Sequence, residues 1–292
     1  MTGLAPIDGL VVLAILAKAI GYGAALLAMG GVLFSVVFAK HAEASVLRLA
    51  KQLAVCAALV GLAVLAIRFG IRAARISGMG FDGATDPMML GFVWESPLGT
   101  AAIWRGIGEL AILAILLPRF GHWISLVGSV AIATSFAQVG HALGEPRSAL
   151  AVLIVLHLLA AAFWVGALIP LRRAALAPDG ADLLHYFGNL AAGGVAALIL
   201  AGTSLAWLLS GSTTALFGTA YGLALLVKVA IVAVLLGFAT WNKLRLVPAL
   251  RSQKPGAVHA LRRSISMEIM AVALILLATA TLTSVTTPPV NL

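Results

Sequence analysis

Eight stretches of this 292-residue sequence are each apolar for about twenty residues or more, and that repetition limits the possible folds more than any other feature. They cover residues 10–38, 47–71, 98–117, 123–141, 149–171, 183–209, 221–241 and 265–286. Inside hydrocarbon every backbone N–H and C=O must find a partner within the chain, so runs of this length become spanning α-helices. With 62% of residues hydrophobic and 10% charged, and a mean hydropathy of +1.10, a water-soluble domain is excluded. The expected fold is all-α: a polytopic membrane protein, a bundle of eight transmembrane helices in one integral membrane domain over 1–292. Helices one to three lie in 1–120 and helices four to eight in 121–292.

Orientation follows the basic residues. Lys40, Arg48 and Lys51 follow the first helix, Arg119 the third, Arg172 and Arg173 the fifth, and Lys243, Arg245, Arg251, Lys254, Arg262 and Arg263 the seventh. These loops are read as cytoplasmic, which leaves both termini outside, in a bacterium the periplasm. Arg68, Arg72 and Arg75 at the end of helix two run against the rule. The net charge of +9 is assigned to loops and to anionic membrane lipid, and no nucleic-acid partner is expected. The first helix lacks a basic leader and a small-residue cleavage site and reads as retained.

An ionisable residue within a membrane span is a functional-site hypothesis by default. His157 opens the run HLLAAAFWVGALIPL (157–171), and His141 closes the preceding segment, TSFAQVGHA (134–142). Thr134, Gln138 and His141 are spaced four and three apart, which on a helix writes one polar stripe. His157 and Trp164 share a helix face, with Ala160 and Ala161 between them and Gly166 just beyond, a small face that a neighbouring helix can approach. In an antiparallel hairpin both imidazoles can face one cavity, and imidazole is a good ligand for Cu, Zn, Fe or Ni. The alternative for each is a packing residue with a local hydrogen-bond partner.

Other candidates flank this pair. The region 72–97 reads as the longest outer loop and carries Met79, Met88 and Met89; thioethers select Cu(I) over harder ions. Glu109 lies mid-span in helix three, one turn from Arg105, and pairs with it or with Lys18 or Lys228, another intramembrane cation. A proton relay at Glu109 is an open alternative. Met267, Glu268 and Met270 gather near the inner end of helix eight and could release an ion. His41, His122, His185 and His259 read as solvated, Pro146, Pro170 and Pro248 as helix ends, and the single cysteine, Cys56, as a small buried hydrophobe. No P-loop, Rossmann glycine pattern or HExxH motif occurs, so no ATP-driven pump and no enzyme is expected.

The GHA at 140–142, the 157–171 run, and AYGLALLVKVAIVAVLLGFATWNKLRLVPAL at 220–250 resemble the copper resistance protein D (CopD) family of bacterial inner-membrane proteins. LRRSISMEIMAVALILLATATLTSVTTPP at 261–289 is similar to the family's last helix. The likeness runs from about residue 134 onward and is limited to helix pattern before it. It implies eight-helix multi-pass proteins that move copper from periplasm to cytoplasm, beside a separate periplasmic carrier of the CopC type. By position it points to His141 and His157, with Trp164 and Lys228 as matching motif residues. The expected cargo is copper, Cu(I) over Cu(II), since a soft-ligand path favours Cu(I) while imidazoles alone also accept Cu(II). Two other classes stay open: a haem b or quinone-linked electron-transfer protein, because paired histidines can be axial ligands, and a scaffold that assembles a copper enzyme.

Overall fold

Long apolar runs bracketed by Ser, Asp, Pro and Gly fold as capped helices in the computed structural model, which describes residues 8–144 and 146–285 apart from the side chains of His141 and Ala142. Helix α1 is Gly9–Val37, with Asp8 accepting from the Val11 N–H at 2.7 Å, and α2 is Ala44–Ser77. After a short 3₁₀ turn come α3, Pro87–Glu95, and α4, Pro97–Ile112, each with proline in its first turn and a capping side chain, Asp86 or Ser96. Then follow α5 (Gly121–Phe136), α6 (Arg147–Ala174), α7 (Gly180–Ser210), α8 (Thr213–Gly218), α9 (Ala220–Trp241), α10 (Val247–Arg251) and α11 (Ala257–Val285). Among the described residues there is no strand.

Seven of these segments are long and apolar enough to cross a bilayer; α5, at 16 residues, is a shorter apolar helix. Large apolar side chains such as Ile20, Leu59, Val127, Leu200 and Val227 cover the outside of the bundle. In water such a surface would aggregate; against acyl chains it is at equilibrium. Helices α1 and α6 form the centre, and α1 also packs against α2, α5 and α11. Helix α7 leans on α6 and α9 on α11, and each exposes most of its surface.

Several local expectations change. Residues 72–97 are not a loop: α2 continues to Ser77, and the 3₁₀ turn Gly80–Thr85 and α3 fill the rest. The stripe from Thr134 to His141 is not on one helix, because α5 ends at Phe136 and the chain re-forms as a 3₁₀ turn, Gly140–Leu143, after Gly140 enters the left-handed region at φ 66°. Pro170 lies inside α6, which runs on to Ala174, and Pro248 sits in the first turn of α10. Cys56 is exposed on α2 rather than buried, on a surface that faces lipid. Gly166 turns away from Trp164: two residues on, and so about 200° round the helix, it packs with Ala162 against Gly30 of α1. A Cβ on Gly30 would stand 2.6 Å from the Gly166 Cα, so neither glycine tolerates a side chain without the helices parting.

Candidate functional site

The opposite side of α6 carries the polar groups. His157 rests against α7, where a Cβ on Gly202 would lie 3.5 Å from the imidazole Cε1. The Leu198 backbone gives the ring a weak hydrogen bond and the Lys228 ammonium of α9 is within electrostatic reach, while the buried Nδ1 makes no hydrogen bond of normal geometry. An imidazole nitrogen without a strong hydrogen bond can serve as a ligand to a soft or borderline metal ion. The ring lies against α7, whereas the hairpin reading required it to face α5. The side chain of His141 lies outside the described residues.

Two turns further along α6, about 10 Å at 1.5 Å per residue, Trp164 donates its indole Nε1–H to Glu268 Oε2 of α11 at 3.3 Å. Asn242 Nδ2 donates to the other carboxylate oxygen, Oε1. All three are nearly enclosed, with Glu268 3% exposed. Asn242 opens a single π-helical turn, Asn242–Leu246, between α9 and α10. Such a turn inserts an extra residue into the helical ladder and commonly marks a functional position. Asn242 Oδ1 and Ser264 Oγ, one turn from Glu268 on α11, are buried without partners. His157 and Trp164 share a face of α6, and Lys228 of α9 and Asn242, at the start of the π-turn fourteen residues on, lie on one side of their helix. The five side chains thus line one polar seam, with Trp164, Asn242 and Glu268 at its lower level and, above them, His157 about 10 Å and Lys228 about 21 Å back along their helices.

Asn242 was not among the residues singled out from sequence. Lys243 and Arg245 beside it make the stretch read as a basic loop, although Asn242 stands within the motif that carries the family resemblance. The inner trio does not converge: Met267 and Met270 turn outward, Met270 being 68% exposed, while Glu268 points inward. Met267 instead lines a groove of about 570 Å³ with Phe238, Trp241, His259, Arg263 and Ser264. Met79 and Met88 are exposed and Met89 is half-buried, with Asp86 engaged as the cap on the Met89 N–H at 2.9 Å. Gln138 is half-buried in the turn after α5. Glu109 is fully buried and pairs with Arg105 at 3.6 Å, as the four-residue spacing predicts. Lys18 and Lys228 do not join it: Lys18 donates to the Thr283 carbonyl at 2.8 Å, and the charge of Lys228 acts on His157 instead. Among the described residues no group of three or more His, Cys, Asp or Glu is placed to hold a metal.

Residues 7–147 match the family model for the copper resistance protein D-like N-terminal domain, and residues 181–282 match that for copper resistance protein D. The chain belongs to the copper resistance protein D family. No curated protein and no solved structure matches it. The first CopD match takes in α1 to α5, where the resemblance seen in sequence was limited to helix pattern. The second holds Lys228, Asn242, Ser264 and Glu268. Helix α6, with His157 and Trp164, joins the two. Family and helices together make this a multi-pass membrane protein, and the inner membrane is consistent with CopD membership.

Proposed function

We propose that this CopD-family protein carries copper, as Cu(I), across the bacterial inner membrane from periplasm to cytoplasm, without catalysing a reaction. The observation that supports it most is the buried imidazole of His157 on the polar face of α6, held among the described residues by the Leu198 backbone alone and with no hydrogen bond of normal geometry at Nδ1. Both termini are periplasmic in this reading, and α5, about 24 Å long for its 16 residues, serves as the eighth crossing beside α4. A CopC-like carrier or the exposed Met79 and Met88, with Met89, delivers the ion to His141 and His157. From there it descends the seam toward Trp164 and Glu268. The ammonium of Lys228 repels a cation held beside it. That suits a conduit, in which binding must be weak enough to let the ion leave.

The test is Cu(I) uptake into proteoliposomes by the wild type and by His157→Ala, with folding checked by circular dichroism. Uptake by the wild type and its loss in the folded variant support the reading. Equal uptake by the variant removes His157 from the path. No uptake by the wild type, with a Soret band in the purified protein, replaces transport by haem-based electron transfer.

A further inference from the structure

Five cations gather where α2 leaves the bundle, and among the described residues one ion pair, Arg105 with Glu109, answers them. Lys18 of α1 lies close enough to Arg68, Arg72 and Arg75 of α2 for their charges to interact, and Arg68 likewise reaches Arg105 of α4. Glu109 is ion-paired with Arg105, and Lys18 spends one donor on the Thr283 carbonyl. Arg68, Arg72 and Arg75 have no hydrogen bond or ion pair to the protein among the described residues. Arg105, 7% exposed, lies 4.2 Å from the centre of the Phe136 ring, and its Nη1 is buried without a hydrogen bond.

Arginines at 68, 72 and 75 form one stripe along α2, and like charges at this spacing destabilise a helix unless an anion answers them. Depth indicates which anion. From Lys51, at the opposite end of α2, to Arg68 is 17 residues, about 26 Å, and to Arg72 is 21 residues, about 32 Å. These distances bracket a hydrocarbon core of about 30 Å. The stripe therefore lies at the level of lipid phosphates. Exposed Ile67 and Ile76 flank it on α2, and exposed Trp94 of α3 lies tilted against Phe69, with the ring centres 6.1 Å apart. Apolar residues suit acyl chains, and an indole suits the interface.

We propose that Lys18, Arg68, Arg72 and Arg75, backed by Arg105, bind the phosphate of an anionic phospholipid. The planar guanidinium fork fits phosphate oxygens bidentately, which an ammonium alone does not. This inference does not depend on copper transport.

Phosphatidylglycerol is titrated into protein purified in neutral detergent, against phosphatidylcholine and inorganic phosphate, with binding read from tryptophan fluorescence. The expected result is tighter binding of phosphatidylglycerol than of phosphatidylcholine. Affinity falls about fivefold for each arginine neutralised, about one hundredfold for Arg68→Gln, Arg72→Gln and Arg75→Gln together. The corresponding lysine triple variant keeps part of the preference, and Arg245→Gln with Lys254→Gln keeps all of it. If the triple glutamine variant does not fold, the exposed pair Arg72→Gln and Arg75→Gln carries the test, with a loss of about 25-fold. No preference over phosphatidylcholine, an unchanged preference in the glutamine variants, or equal binding of inorganic phosphate would each overturn the proposal.

Discussion

Glu268 is held by two donors from two different helices, and removing them singly and together tests whether the lower level of the seam is one unit. The Trp164 bond is 3.3 Å long, beyond the usual N–H···O range, and both partners are nearly enclosed. A hydrogen bond to a charged group contributes about 1.5–3 kcal/mol. The length puts Trp164→Phe at the low end, a loss of about 1.5 kcal/mol. Asn242→Leu removes the other donor and is expected to cost about 1.5–3 kcal/mol. Either single variant leaves the carboxylate one donor. The double variant leaves it none, so its loss departs from the sum of the singles by about 1 kcal/mol or more. Denaturant unfolding in detergent micelles, followed by helical circular dichroism, gives the four stabilities required. Additivity within about 0.5 kcal/mol would refute a shared acceptor and reduce the cluster to two independent packing contacts.

Three further outcomes follow from the placement of charge and sulfur. Met88→Ala with Met89→Ala weakens copper uptake only at low external copper, because exposed thioethers raise local concentration without lying on the seam; an equal loss at saturating copper contradicts a collecting role. Lys228→Met removes the repulsion beside His157, so the purified variant retains more copper and turns over more slowly, as metal analysis and proteoliposome flux will measure. Arg105→Gln or Glu109→Gln alone leaves a buried charge unpaired and costs about 3–5 kcal/mol, whereas the double replacement comes close to neutral; a double variant as unstable as either single one would show that the pair is not self-neutralising.

Hydropathy made the bundle legible, because each apolar run has no alternative in lipid but a helix. It also made His157, Trp164, Glu268 and the Arg105–Glu109 pair visible, since a polar residue in such a run stands out against its neighbours. What stayed hidden depends on backbone partners that composition does not encode. Lys18 is satisfied by the Thr283 carbonyl, 265 positions away, not by a carboxylate. Asn242 acquires its role from a π-turn, and no pattern of apolar spacing announces one. The end of α5 was misplaced because Ala137 to Ala142 is apolar enough to continue the run, while Gly140 alone sets the left-handed break. Cys56 and Gly166 were misread for a related reason: helical spacing says which residues share a face, but not which helix that face meets.

The two faces of α6 then divide the labour of the fold. Ala162 and Gly166 lock one face onto α1 so closely that backbone meets backbone, which leaves no room for an ion or a water molecule. His157 and Trp164, about 140–200° away round the helix, meet α7 and α11, and the neighbouring α7 and α9 are held by few partners. In lipid, helices gain little from apolar contact with one another, so tight packing of small residues is what fixes α6 in place. With that face fixed, the other can carry unpaired nitrogen and oxygen atoms without collapsing onto them. A cation that loses its water needs such atoms and the freedom to pass between them; on the proposed path the His157–Trp164 face of α6 supplies the atoms, and the few contacts of α7 and α9 supply the freedom.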